Sequence, residues 1–202
     1  MDAMSVIIET ASKKHFPADT PMDPLLFTSF QSVHSGNDKQ YMGVKDMASL
    51  RKCLEEKLVE YNESFAEMNL VLFDDAIHHI CRIARIMDLP GGHALLVGVG
   101  GSGKQSLARL ACFIQKVDVL TILVNQNYGL AELKLDLQEF YKKAAVKPGT
   151  PHAFLLTDSQ IVDERFLVYI NDLLGSGQIP NLFTREEMDA ILGNMKTAAK
   201  AN

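Results

Sequence analysis

Seven consecutive residues near the middle of the chain have the types and spacing of a phosphate-binding loop. They fit the pattern G-x-x-x-x-G-K and are Gly98, Val99, Gly100, Gly101, Ser102, Gly103 and Lys104. Glycines let successive backbone N–H groups turn toward one point and form a nest for an anion. A helix beginning near Gly103 would add unpaired N–H groups and the positive end of its dipole. Lys104 would bring a positive charge to the outer phosphates.

The residue after the lysine departs from the usual pattern. Loops of this kind commonly have Ser or Thr there, whose hydroxyl is a ligand of Mg²⁺, whereas this chain has Gln105. Mg²⁺ requires near-octahedral geometry at short distances, and a glutamine oxygen lies much farther from the backbone. Ser106 is a poor substitute because one helical step turns it by about 100°. We therefore expect Gln105 and Ser106 at the phosphate site, with weak or water-mediated metal binding.

An acidic residue at the end of a neighbouring strand holds the hydrated metal in such sites. Asp158, which closes the apolar run at 153–157, is the candidate for that metal-binding role. The next residues, Ser159 and Gln160, are not bases at neutral pH, although a positioned base is worth about 10²- to 10⁴-fold in rate. Asp163 and Glu164 are expected to face solvent. The sequence therefore predicts a site that holds a nucleotide with little hydrolysis, and no catalytic residue is assigned.

The elements that must position these residues alternate between strand and helix. Apolar spacing predicts helices at 47–65, 73–87, 104–114, 130–144 and 163–174, and strands at 94–97, 119–124 and 153–157. The first strand should be buried on both faces, because its apolar run is continuous. This order predicts an α/β fold with a parallel sheet covered by helices.

The first 44 residues look different from the rest. They are predicted to be loop-rich, because turn-forming residues cluster at 16–24 and 35–39 and three prolines exclude a long helix there. Pro148 and Gly149 should end the fourth helix.

Composition narrows the classes of function. With 47% hydrophobic residues and a net charge of −5, the chain should have a packed core, and neither nucleic acid nor a membrane is an expected partner. No apolar run approaches membrane-spanning length, and the apolar stretch at the N-terminus is too short for a secretory signal. Three cysteines without metal-ligand spacing are expected to be reduced thiols in a core. The protein is expected to be soluble and intracellular.

The stretches at 68–111, 126–144 and 158–183 resemble the fourth AAA+ module of a dynein heavy chain of the axonemal (ciliary) type. In that type, Gln after the loop lysine and the lack of a glutamate after the strand Asp are usual. The resemblance covers about residues 24 to 190. It implies that residues 1–67 are a linker segment from the preceding module, and that 68–202 form a partial AAA+ large subdomain with three of its five strands. Later strands and the helical lid would lie beyond Asn202.

The resemblance also implies a function. The family is an ATP-driven microtubule motor with a ring of six AAA+ modules, in which the fourth is regulatory. It implies ATP or ADP as the ligand of residues 98–106, Asp158 as the acid beside a weakly bound Mg²⁺, and Val71 and Leu72 as candidates for packing the adenine. Expected partners are the neighbouring AAA+ modules, microtubules and other dynein subunits, in the cytoplasm and the cytoskeleton of a ciliary or flagellar axoneme.

The residues alone leave two other functions open. One is a small P-loop kinase or phosphotransferase, which would need acceptor-binding residues and a lid with arginines, and the region after Asp158 offers only Arg165 and Arg185. The other is a non-enzymatic scaffold whose loop is vestigial. Binding of ATP, ADP and GTP, and a search for phosphoryl transfer to a small acceptor, would separate these functions from an AAA+ module.

Overall fold

The computed structural model describes residues 3–15, 26–31, 41–44, 46–146 and 150–201. The turn-rich stretches predicted at 16–24 and 35–39 lie outside these ranges, as do Pro148 and Gly149. The helices are α1 Ala3–His15, α2 Met47–Ser64, α3 Asp74–Asp88, α4 Lys104–Gln115, α5 Leu130–Val146, α6 Phe166–Ser176 and α7 Arg185–Ala201. The strands are β1 Phe27–Thr28, β2 Met42–Gly43, β3 Asp118–Leu120 and β4 His152–Phe154, and a 3₁₀ turn covers Asp158–Gln160.

The main core lies between α2, α3 and α4. Apolar side chains recur at helical spacing on each of these helices, and this confirms the helices that the apolar spacing predicted there. Asp46 caps the N-terminus of α2, and its carboxylate accepts hydrogen bonds from the backbone N–H groups of Ala48 (3.1 Å) and Ser49 (3.0 Å). Fully or almost fully buried members of this core are Leu50, Leu54, Ala76, Ile77, Ile80, Ala84, Leu110 and Ala111.

A second apolar cluster lies among α5, α6 and the segments around them. Its buried members are Ile122, Tyr128, Leu133, Leu137, Phe166, Ile179 and Leu182. The amphipathic pattern of α5 accounts for this packing, because its buried Leu133 and Leu137 lie on one side of the helix.

The second and third predicted strands pair as parallel neighbours. β3 and β4 run in register from Asp118 opposite His152 to Leu120 opposite Phe154, and the Leu155 N–H donates to the Leu120 carbonyl at 2.8 Å. Both strands are shorter than predicted. Their pairing confirms the parallel arrangement expected from the alternation of strands and helices.

The prediction of a first strand buried on both faces at 94–97 is wrong. The segment lies outside both sheets of the described residues, and Leu95 and Val97 are 90% and 86% exposed. Only Leu96 packs against the main core. An apolar run forms a strand only where a neighbouring strand pairs with its backbone N–H and C=O groups, and in the described residues neither β3 nor β4 pairs with this segment. The described parallel sheet therefore has two strands where three were expected.

The prediction that residues 1–44 are loop-rich is also wrong in part. Residues 3–15 form α1, which precedes the first proline at position 17. Further along, β1 and β2 pair as antiparallel strands, with Phe27 opposite Gly43.

Helix α7, which was not predicted, begins after Thr184, and this residue and Glu187 exchange capping hydrogen bonds of 2.9 Å and 3.2 Å.

A polar network fastens the segment around β1 and β2 to the ends of α3 and α4. The Asp88 carboxylate accepts from the hydroxyls of Ser29 and Tyr41, both at 2.9 Å. The Gln115 amide donates to the Ser29 hydroxyl at 3.1 Å in a buried position. Packing thus crosses the predicted boundary after residue 67, because both α2 and this segment contact α3 and α4.

The cysteines differ in burial. Cys81 on α3 and Cys112 on α4 are buried and Cys53 on α2 is half-buried, and all three are free thiols. Burial raises the pKa of Cys81 to about 12 and that of Cys112 to about 11. Within the described ranges, no helix combines the length and the apolar character needed to cross a membrane.

Candidate nucleotide-binding site

The glycine loop ends where α4 begins. Gly101 and Gly103 both have φ of 75°, a left-handed conformation that glycine adopts without steric cost. Gly103 is the residue that caps the N-terminus of α4, so the unpaired N–H groups of the first turn face the loop. A Cβ placed on Gly98 would lie 3.3 Å from the Ser102 hydroxyl, whereas the surroundings of Gly100 and Gly101 are open. The loop is therefore open around Gly100 and Gly101, next to the N-terminus of α4.

Lys104 is fastened to the start of this loop. Its ammonium donates to the Gly98 carbonyl at 2.8 Å and to the Val99 carbonyl at 2.7 Å. A longer contact of 3.3 Å joins it to the Ser102 hydroxyl. An ammonium has three N–H donors, and the two short bonds leave the third on the weakest partner. The charge is thus fixed beside the loop, with one donor that an anion can take.

The two residues after the lysine occupy the first turn of α4. Gln105 is exposed and Ser106 is half-buried. Asp158, the predicted metal-side acid, is exposed at the start of the 3₁₀ turn after β4. In the described part of the chain, no group of three His, Cys, Asp or Glu side chains could hold a metal ion. A lone carboxylate fits a hydrated Mg²⁺, which usually keeps several of its waters.

Gln160 ties the Asp158 turn to the extended chain after β3. Its side-chain oxygen accepts from the Thr157 N–H at 2.8 Å, and its side-chain nitrogen donates to the Ile122 carbonyl at 2.7 Å. A further bond of 3.1 Å reaches the Thr121 hydroxyl. The amide therefore has a structural role that the sequence analysis missed. The spacing T-x-x-Q, a capping box, was the signal that could have revealed it.

The other acidic residues near this turn are engaged or face solvent. Arg165 donates to the Asp163 carboxylate at 2.5 Å and 3.0 Å. These hydrogen bonds lower the pKa of Asp163 to about 2. Glu164 is exposed, as expected. Asp163 thus stays ionised and paired with Arg165, which disfavours it as a general base at neutral pH.

The segment from Met68 to Phe73, between α2 and α3, lies beside the loop. A Cβ on Gly103 would be 3.5 Å from the Leu70 Cδ1 atom. Of the two residues considered for packing an adenine, Val71 is 77% exposed, whereas Leu72 is 4% exposed and belongs to the main core. The side chain of Val71 is therefore open to a ligand, and the side chain of Leu72 is turned into the protein.

A glycine loop anchored by a lysine at the start of a helix, followed by parallel strands, defines a P-loop protein of the α/β class. Residues 68–202 match the family described as the P-loop containing dynein motor region D4. The chain belongs to this family, and the matched residues include the whole loop and Asp158.

Similar proteins agree with this family. Dynein axonemal heavy chain 17 of Homo sapiens is 51% identical over an alignment of 198 residues that covers 96% of this chain and 4% of that protein. Dynein alpha chain, flagellar outer arm, of Chlamydomonas reinhardtii is 48% identical over 209 residues, covering 100% of this chain and 5% of the relative. Dynein beta chain, ciliary, of Tripneustes gratilla is 53% identical over 164 residues, covering 81% and 4%. The chain thus spans only a small part of these relatives.

Proposed function

We propose that this chain binds an adenine nucleotide, ATP or ADP, with the phosphates held by residues 98–106. The observation that carries the proposal is the Lys104 ammonium, which is bonded to the Gly98 and Val99 carbonyls beside a loop with two left-handed glycines. A positive charge and a set of N–H donors at one helix N-terminus are complementary to a polyphosphate. The exposed side chain of Val71 is the proposed contact for the base, and the buried side chain of Leu72 holds its segment in the core.

The proposed module hydrolyses little of what it binds. Ser159 stands where a general base would be needed, Gln160 is hydrogen-bonded on both sides of its amide, and Asp163 is paired with Arg165. A positioned base contributes about 10²- to 10⁴-fold to a rate, so its loss leaves a slow site. Asp158 is the proposed metal-side acid. With Gln105 in the place of a hydroxyl residue, Mg²⁺ would be held weakly or through water.

We further propose a place for this module in a larger protein. Its relatives carry the names of axonemal, ciliary and flagellar dynein chains. The chain would act as a regulatory or structural AAA+ module of a dynein-like microtubule motor. Its partners would be the neighbouring AAA+ modules of the same heavy chain and, through the motor, microtubules and other dynein subunits. The proposed location is the cytoskeleton of a cilium or flagellum.

The purified chain is expected to bind ATP and ADP with one site per chain, and to bind GTP more weakly. Its turnover should be at least about 100-fold below the 1 s⁻¹ of a slow ordinary enzyme, because the described residues after Asp158 position no base. Isothermal titration calorimetry measures the binding, and release of labelled phosphate measures the turnover. Rapid release of phosphate would contradict the proposal. Transfer of phosphate to a small acceptor would favour a kinase, and lack of binding to all three nucleotides would favour a vestigial loop.

A further inference from the structure

Helix α2 holds the segment beside the phosphate loop at two points. At one end, the Asn62 side-chain oxygen accepts from the Met68 N–H at 2.9 Å, and its side-chain nitrogen donates to the Met68 carbonyl at 3.3 Å. At the other end, Arg51 donates one bond to the Leu72 carbonyl and another, of 2.6 Å, to the Asp74 carboxylate. Residues 68–72 are therefore fixed from outside, through side chains of another element.

These bonds matter because the segment has no regular structure of its own. Residues 67–73 belong to neither a helix nor a strand. Asn62 offers Met68 both a donor and an acceptor, as a neighbouring strand would do. The Arg51 guanidinium has a planar fork, which fixes two acceptors at once. Without these partners, the backbone of the segment would have to find its hydrogen bonds in water.

The helix that supplies these bonds is itself fixed to the helix that carries the loop. Leu50 and Leu54 of α2 are fully buried in the main core. Tyr61 stacks on Phe65 with ring centres 4.9 Å apart, and it forms a T-shaped pair with Phe113 of α4 with ring centres 5.4 Å apart. Close aromatic pairs of this kind add to the energy of burial. Helix α2 is thus a platform with a defined position relative to α4.

The position of the segment sets how a base could be contacted next to the loop. Its inner side meets the loop through Leu70, and Val71 projects outward. We propose that Arg51 and Asn62 are positioning residues for base recognition, which hold residues 68–72 where the exposed side chain of Val71 contacts an adenine. This inference rests on the proposed nucleotide-binding function. The phosphates are contacted by residues 98–106, so these two residues should affect the base and not the phosphates.

The test compares a ligand that has a base with one that has none. ATP and inorganic tripolyphosphate share the phosphates, and only ATP has the adenosine. Asn62→Ala is expected to weaken ATP binding about fivefold, as the loss of about one net hydrogen bond would do. Tripolyphosphate binding should stay within about twofold of the parent value. Asn62→Asp keeps the acceptor for the Met68 N–H but turns a carboxylate oxygen toward the Met68 carbonyl, so it should lose about as much ATP binding as Asn62→Ala.

The control is Lys57→Gln, on the same helix. Lys57 pairs with Glu60 at 2.7 Å on the surface and contacts none of residues 68–72 in the described hydrogen bonds. Surface pairs of this kind contribute little to stability. The binding of both ligands should be unchanged in this variant. Isothermal titration calorimetry gives both affinities, and a thermal melt by circular dichroism checks that each variant is folded.

The outcomes separate this inference from the function on which it rests. A parent chain that binds neither ligand overturns the proposed function. A parent chain that binds both, with an Asn62→Ala variant that binds ATP as well as the parent, overturns the positioning role alone. Equal weakening of both ligands also overturns it, because the phosphate loop would then be affected. If Asn62→Ala does not fold, Arg51→Lys, which loses the two-pronged contact, and Asn62→Asp provide the same comparison.

Discussion

Replacing Lys104 with alanine is expected to weaken ATP binding by about 100-fold. The ammonium is bonded to the carbonyls of Gly98 (2.8 Å) and Val99 (2.7 Å), and its third donor has only a long contact to Ser102. A hydrogen bond to a charged group is worth about 1.5–3 kcal/mol, and about 2.7 kcal/mol corresponds to 100-fold in affinity. Calorimetric titration with ATP measures the loss, and ADP should lose less, since it has fewer outer phosphate oxygens.

The matched control is Lys52→Ala. Lys52 is an exposed lysine on α2, so its removal changes the net charge by the same amount. The ATP affinity of this variant should stay within about twofold of the parent value, because exposed charges at a distance are largely screened. The proposed role of the loop fails if Lys104→Ala binds ATP as tightly as Lys52→Ala does. A thermal melt of both variants excludes unfolding as the cause.

The second large effect is expected on stability. Leu110→Ala should reduce the free energy of unfolding by about 2–5 kcal/mol, the range for a buried leucine replaced by alanine. Leu110 lies on α4 with 0% of its surface exposed and belongs to the main core with α2 and α3. The whole stability of a domain is about 5–15 kcal/mol, so this loss is a large share. Urea denaturation followed by circular dichroism measures it.

Leu135→Ala is the control for this stability measurement. Leu135 is also a leucine in a helix, α5, but 65% of its surface is exposed. Its replacement should change the free energy of unfolding by no more than about 0.5 kcal/mol. Equal losses in the two variants would mean that α4 is not packed between α2 and α3 in solution.

The parts that the sequence predicts well are those with a local signal. Helix α3 buries Ala76, Ile77 and Ile80 among others, a spacing that lies on one face of a helix and that a strand would divide between its two faces. The loop has glycines at 101 and 103, where the backbone is left-handed. Each of these features depends on a few neighbours along the chain, and a pattern of residue types therefore identifies it.

The parts that the sequence did not predict depend on distant partners. The run at 94–97 has the composition of a buried strand, yet its residues reveal nothing about which backbone would pair with it. Gln160 and Asn62 are single polar residues, and their roles follow from bonds to Ile122, 38 residues away, and to Met68, across the end of a helix. Leu72 was considered for a base, and its burial results from packing in a core that includes α2 and α4.

The three cysteines differ in burial, and their rates of reaction can therefore report local unfolding of the helices that carry them. A thiol reacts as the thiolate, so burial and a raised pKa both slow alkylation at neutral pH. Cys81 and Cys112 are protected in both ways by α3 and α4, whereas Cys53 on α2 is half-exposed. The extent of alkylation over time, measured by mass spectrometry, therefore reports separately on α4, which carries the loop, and on α2, which holds the segment beside it. No added label is needed.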